Sequence, residues 1–144
     1  ATMFLTRIIY TSTPTQEFKP SDIDNILTLA TKNNTKKDIT GMLCFSRNYF
    51  LQCLEGSRSS VNEMYHKILN DKRHSHIVLL DYNEISEREF SCWSMAYLPE
   101  SRLTTSINLK FSESSQFDPY KMSGRSTHKM MLELRDELDC VSGR

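Results

Sequence analysis

Glycine is scarce in this 144-residue chain, with four in all and none clustered. Phosphate-cradling loops need closely spaced glycines so that backbone amides can approach an anion, which excludes a P-loop or a G-x-G-x-x-G turn. Charge of one sign is missing too. Eighteen Lys and Arg residues balance eighteen Asp and Glu residues, and the zero net charge argues against nucleic acid or a membrane surface as partner. No apolar run approaches the ~18 residues of a membrane span, and the N-terminus carries no signal-peptide core.

Cysteine is sparse and dispersed. Cys44, Cys53, Cys92 and Cys140 form no C-x-x-C pair and have no histidine at zinc-site spacing, so no metal site is expected. Three of the four lie in apolar stretches, where a free cysteine acts as a small buried hydrophobe. That usage fits a reducing, cytoplasmic compartment. Hydrolase signatures such as G-x-S-x-G and H-E-x-x-H are absent, and the scattered His66, His76 and His128 read as surface residues.

What is present is a regular order of elements. Phe4 to Thr11 is rich in β-formers and stops at Ser12-Thr13-Pro14. Ser21 can cap a helix carrying Ile23, Ile26, Leu27 and Ala30 at helical spacing, ending near Asn33-Asn34. Ile39 to Ser46 and Tyr49 to Glu55 are separated by Arg47-Asn48 alone, which predicts an antiparallel hairpin. Ser60-Val61-Asn62-Glu63 reads as a capping box for a second helix through Leu69. Ile77 to Tyr82 and Phe90 to Tyr97 complete the strands, the last with Trp93 and Met95 on one face.

This order predicts an α+β, ferredoxin-like β-α-β-β-α-β-β sheet with two helices on one face. The length suits one domain. Residues 3–98 are expected to form it, with Ala1-Thr2 set aside. Residues 99–144 are expected to be a helical extension on the open face, with a weak pattern at Leu103, Ile107 and Phe111 and a better helix from about Thr127 through Met131, Leu134 and Leu138.

Gln52 is the conspicuous residue. In Phe50-Leu51-Gln52-Cys53-Leu54, alternation puts its amide on the same face as Phe50 and Leu54, where an unpaired amide costs about 1–3 kcal/mol. Its partner is either a backbone group or another buried polar side chain. Tyr10 is a candidate, because the first and third strands are neighbours in this topology. Taken singly, Tyr10 reads as a half-buried strand end, Trp93 and Met95 as core filler, and Asn33-Asn34 as a helix C-cap.

Together these positions resemble the BLUF family, blue-light sensors that use a flavin. The resemblance runs from about Phe4 to Tyr97 and rests on Arg7 to Ser12, on Asn33-Asn34 followed by Ile39-Thr40-Gly41, on Phe50 to Gly56, on Asp71 to His74, and on Phe90 through Trp93 to Met95. It implies bound FAD, with FMN as the alternative, its ring lying between the two helices. Asn33 and Asn34 are both implied to bind the flavin, with Asn34 at the C4 carbonyl and N3 edge. Gln52 is implied near N5 and O4 with Tyr10 behind it, and Lys67, Asp71 and His74 at the ribityl and phosphate end. Arg73 is expected to point to solvent.

The family's mechanism implies electron and then proton transfer from Tyr10 through Gln52, leaving a rearranged Gln52 and a red-shifted spectrum. Trp93 and Met95 would relay the change. Ala30 stands where several members carry serine, which bears on dark recovery.

The resemblance therefore implies a photoreceptor rather than an enzyme, acting through a downstream protein partner and forming a homo-oligomer. A sensor module from a light-regulated nucleotide cyclase or other effector enzyme is the alternative. From other classes, an acylphosphatase-like hydrolase would need a basic anion loop that Ser12 to Glu17 does not supply, and a ferredoxin-like RNA binder would need a basic sheet face.

Overall fold

The computed structural model describes residues 4–140 as a five-stranded sheet flanked by helices on both faces. In chain order the elements are β1 (Leu5–Pro14), α1 (Ile23–Lys36), β2 (Thr40–Phe45), β3 (Phe50–Ser57), α2 (Arg58–Leu69), β4 (His74–Glu84), β5 (Ala96–Leu98), α3 (Thr105–Phe111) and α4 (Gly124–Arg135). The strand order is β4-β1-β3-β2-β5, antiparallel throughout except for the β2–β5 pair. This is the expected ferredoxin-like α+β class. The outer ends of the two expected regions, Met3 and residues 141–144, lie outside the described residues.

Strand β3 shows why the sheet has two unlike faces. Its even residues Phe50 and Leu54 pack with Leu27 of α1 and Val61 of α2. Its odd residues Leu51 and Cys53 pack with Met130, Met131 and Leu134 of α4. Side-chain period two thus assigns one face to the paired helices and the other to the C-terminal helices. Gly41 permits the tight β2–β3 contact, since a Cβ there would lie 2.0 Å from the Cys53 carbonyl oxygen.

Several local expectations are corrected. The first cap is not Ser21, which lies in a short 3-10 turn at Pro20–Asp22 that leads into α1. Helix α2 begins earlier than the Ser60 capping box, because the Ser57 hydroxyl accepts from the Ser60 amide directly at the end of β3. Phe90 to Met95 is not a strand. That segment runs as turns, and only Ala96–Leu98 pairs with β2. His128 is not a simple surface residue either, as its Nε2 meets Glu89 at 2.8 Å beside Arg7.

The cysteines also divide differently from the expectation. Cys44 and Cys53 are free and fully buried, and burial pushes the Cys44 thiol up to about 12. Cys92 and Cys140 are exposed and joined as a disulfide, with Cα atoms 5.3 Å apart. Because the 90–95 segment turns instead of lying in the sheet, Cys92 reaches the surface rather than the core.

Glu55 holds that segment in place. It is fully buried on the α4 face, where Oε2 accepts from the Glu89 amide (2.7 Å) and Oε1 from the Phe90 amide (2.9 Å) and the Thr40 hydroxyl (3.1 Å). Burial raises its carboxyl above the usual glutamate range, and those hydrogen bonds oppose the rise. Glu55→Gln turns one acceptor into a donor facing amide N–H groups, so urea unfolding should show a loss of about 1–3 kcal/mol.

The sign of its pH dependence follows from the raised value. The folded state holds this proton more tightly than the unfolded state, so the carboxyl's contribution to stability falls as pH rises from the unfolded value near about 4.3 through the folded one. The glutamine variant should lack that slope. An identical slope in both proteins would count against the assignment.

Candidate functional site

Tyr10 and Gln52 face each other directly across the β1–β3 pair, in register, and both point toward the α1/α2 face. The Tyr10 hydroxyl donates to Gln52 Oε1, and Gln52 Nε2 donates to Met95 Sδ at 3.4 Å. The amide is therefore answered at both ends by side chains, not by backbone. Tyr10 is 3% exposed, and burial pushes its phenol well above the ordinary range, with the charge of Asp71 adding to the effect. A phenol held this way keeps its proton at any physiological pH.

This pair opens on a cavity of about 240 Å³ between α1, α2 and the sheet, walled by Ile26, Leu43, Phe50 and Ile68. Its volume lies just below the roughly 300–1,000 Å³ of pockets for drug-sized ligands, which suits a ring system whose tail continues past the mouth. Asn34 lines the wall from the last turns of α1. Its Nδ2 donates to the Ser94 carbonyl at 2.9 Å, while its Oδ1 is buried without a partner. Buried acceptors are nearly always satisfied, so this oxygen marks where a ligand donor belongs.

The other expected residues take distinct places. Asn33 borders the cavity but is exposed, and Lys67 stands exposed at its edge, 4.0 Å from Glu63. Asp71 is paired with Arg73 through Nε (3.0 Å) and the guanidinium NH2 (2.6 Å), which holds its carboxyl below the usual range. Arg73, paired with Asp71, lines the cavity as well as keeping the expected exposure to solvent, with 39% of its side-chain surface accessible.

His74 has both ring nitrogens engaged. Nε2 donates to the Ile68 carbonyl at 2.9 Å, so Nδ1 of the neutral ring accepts from the Ser12 hydroxyl at 2.8 Å. Burial lowers its pKa and favours that neutral form. His74 thus offers the cavity a ring surface, not a free nitrogen.

Trp93 and Met95 do not share a face. Met95 packs beside Gln52 with the helix-side clusters, whereas Trp93 packs against the α4-side core and donates from Nε1 to the Asp139 carbonyl at 3.2 Å. Two-residue alternation holds only in a strand, and the turns at 90–95 break it. Sequence reasoning assigned no role to Glu55 or Ser94. Glu55 could have been noticed by the argument that singled out Gln52, a polar side chain inside an apolar strand, but a backbone contact such as that of Ser94 leaves no mark on residue type.

The sequence pattern of the BLUF family, described as sensors of blue-light using FAD, matches residues 5–96. The chain belongs to the BLUF family. The beta subunit of a photoactivated adenylate cyclase from Euglena longa is 32% identical over 102 residues, covering 70% of this chain and 12% of that protein. The blue light- and temperature-regulated antirepressor BluF of Escherichia coli is 36% identical over 80 residues, covering 54% of this chain and 20% of that protein. The photo-activated state of BlsA superposes with a TM-score of 0.82 at 30% identity, covering 91% of this chain and 94% of that one. The chain therefore matches only a small part of the two curated relatives but nearly the whole of BlsA.

The residues present fit the family's flavin. A lone buried acceptor at Asn34, an amide at Gln52 able to offer either end, and an apolar slot between two helices suit a flat heterocycle with both donors and acceptors on its edge.

Proposed function

We propose that the chain is a blue-light photoreceptor whose switch is the hydrogen-bonded series Tyr10, Gln52 and Met95. Asn34 and Gln52 would hold the isoalloxazine edge, with Asn33, Lys67, Asp71 and His74 around the ring's margin and the tail. FAD is the expected flavin, and FMN offers the same ring to the same residues. When bound, the flavin supplies a strong oxidant under blue light.

Tyr10 is the oxidisable group placed to respond. Loss of an electron makes its phenol strongly acidic, and Gln52 Oε1 already accepts its hydrogen bond. The carboxamide can then exchange ends, turning Nε2 away from Met95. One hydrogen bond remade contributes on the order of 0.5–1.5 kcal/mol. A full 1:99 to 99:1 reversal of a two-state element needs about 5.5 kcal/mol. The switch therefore biases a local element and does not refold the sheet. Met95, Ser94 and Trp93 form the natural element, since they connect Gln52 and Asn34 to the C-terminal tail.

Residues 3–98 act in this reading as the sensor and 99–144 as the output surface, which contacts a downstream protein; we place the protein in the cytoplasm as a homo-oligomer without catalytic activity of its own. No helix among the described residues is long and apolar enough to cross a membrane. The observation that supports the reading most is the buried Tyr10–Gln52 pair opening on the Asn34 cavity. Its test is the visible spectrum of the purified protein after reconstitution with FAD. Flavin bands that shift red under blue light and return in darkness are expected, and a protein that stays colourless overturns it.

A further inference from the structure

The tail and the segment beside the cavity are joined by two exposed cysteines. Cys92 and Cys140 lie 48 residues apart in sequence, and their disulfide closes the C-terminal end of the described chain onto residues 92–95. Those four residues form a strap with an anchor at nearly every position. The Trp93 carbonyl accepts from the Gly41 amide at 3.2 Å, and its indole donates to the Asp139 carbonyl. The Ser94 carbonyl accepts from Asn34, the Ser94 hydroxyl meets that of Thr35 at 2.9 Å, and Met95 accepts from Gln52. The strap thus touches Asn34 and Gln52, two of the polar side chains that line the cavity. Its outer end is the cysteine.

We propose that Cys92–Cys140 is a redox-responsive staple that gates the light response. When formed, it holds the strap in the arrangement that seats Met95 on Gln52. When reduced, it leaves the tail attached to the strap through non-covalent contacts such as that of the Trp93 indole with Asp139. The other two cysteines are unsuited to this role, because Cys44 and Cys53 are fully buried and burial raises both thiols. Exposure gives Cys92 and Cys140 the access that thiol–disulfide exchange requires.

The chemistry balances with a small-molecule disulfide such as oxidised glutathione as the oxidant. One cysteine thiolate attacks a glutathione sulfur and forms a mixed disulfide, releasing one glutathione thiolate. The second cysteine thiolate then displaces the other glutathione. The chain loses two electrons and two protons, and one glutathione disulfide becomes two thiols. A dithiol reductant reverses both steps.

This inference rests on the photoreceptor reading for its effect but not for its chemistry, and the experiment separates the two. The 144-residue protein is equilibrated with oxidised glutathione or with dithiothreitol, freed of reagent, and read in three ways. Maleimide labelling under native conditions should find neither cysteine after oxidation and both after reduction. Amide hydrogen exchange over residues 90–98 should quicken on reduction. Dark recovery of the red shift should slow by about two- to tenfold in the reduced form, the effect of one strap hydrogen bond lost. Cys140→Ser should recover at the reduced rate under both conditions.

Labelling of both cysteines after oxidation would overturn the staple. So would pairing that leaves exchange and recovery unchanged on reduction. If no red shift occurs in either state, the photoreceptor reading fails, and hydrogen exchange still decides whether the staple holds the strap.

Discussion

Gln52→Ala should retain bound flavin and lose the light-induced red shift completely. The amide answers Tyr10 with its oxygen and Met95 with its nitrogen, and no other side chain among the described residues bridges those two groups. Alanine removes both functions at once while leaving the apolar walls of the cavity intact. The fold should survive, because Gln52 is flanked on β3 by fully buried Leu51 and Cys53 and remains paired with β1 and β2 through its backbone. The Tyr10 hydroxyl would lose its acceptor in a buried setting, at a cost of about 1–3 kcal/mol that a thermal melt should reveal. Light-minus-dark difference spectra of the reconstituted variant are the measurement. A photocycle like that of the parent protein would refute the assignment of Gln52 as the switch.

Tyr10→Phe should also bind flavin and should fail to photocycle, with a lengthened excited-state lifetime of the bound chromophore. The substitution keeps the ring, which contacts Tyr65 and His74 at centroid distances of 5.9 Å and 6.3 Å, and removes only the oxidisable hydroxyl. Loss of that donor also frees Gln52 Oε1, so the amide is no longer oriented before illumination. Tyr65 provides the control, since it is the neighbouring phenol and does not hydrogen-bond Gln52. Tyr65→Phe should leave the lifetime close to that of the parent. Time-resolved fluorescence separates these cases, and an unchanged lifetime in Tyr10→Phe would remove Tyr10 from the donor role.

The two variants probe a site that was partly legible in the residues. Gln52 was conspicuous because its neighbours Leu51, Cys53 and Leu54 are apolar, and the strand order put Tyr10 within reach of it. Register turned that nearness into a hydrogen bond, since Tyr10 and Gln52 are direct partners across β1 and β3. Asn34, by contrast, reads as an ordinary helix C-cap. Beyond the family resemblance, its unanswered Oδ1 distinguishes it, and that depends on what α1 packs against.

The region from Phe90 to Met95 was the least legible. Its apolar residues read as a strand, yet its backbone is directed by long-range bonds, from the Glu89 and Phe90 amides to Glu55 and from Gly41 to the Trp93 carbonyl. Those partners lie tens of residues away, so no local pattern encodes them. The consequence reaches the site directly, because the turns separate Met95, seated on Gln52, from Trp93, held by the tail. The same turns bring Cys92 to the surface opposite Cys140.

Sequence by itself determined the order of most elements and the α+β class, because period and spacing are local properties that survive without coordinates. Only its resemblance to the BLUF family singled out Tyr10, Gln52, Trp93 and Met95 as photochemical candidates. Tertiary structure alone decided the orientation of the Gln52 amide, the place of Met95 beside Gln52 and of Trp93 on the α4-side core, the place of Arg73 in the cavity lining and the pairing of Cys92 with Cys140. Each of these is a choice between partners of similar chemistry, and such choices are made by packing among residues far apart in the chain.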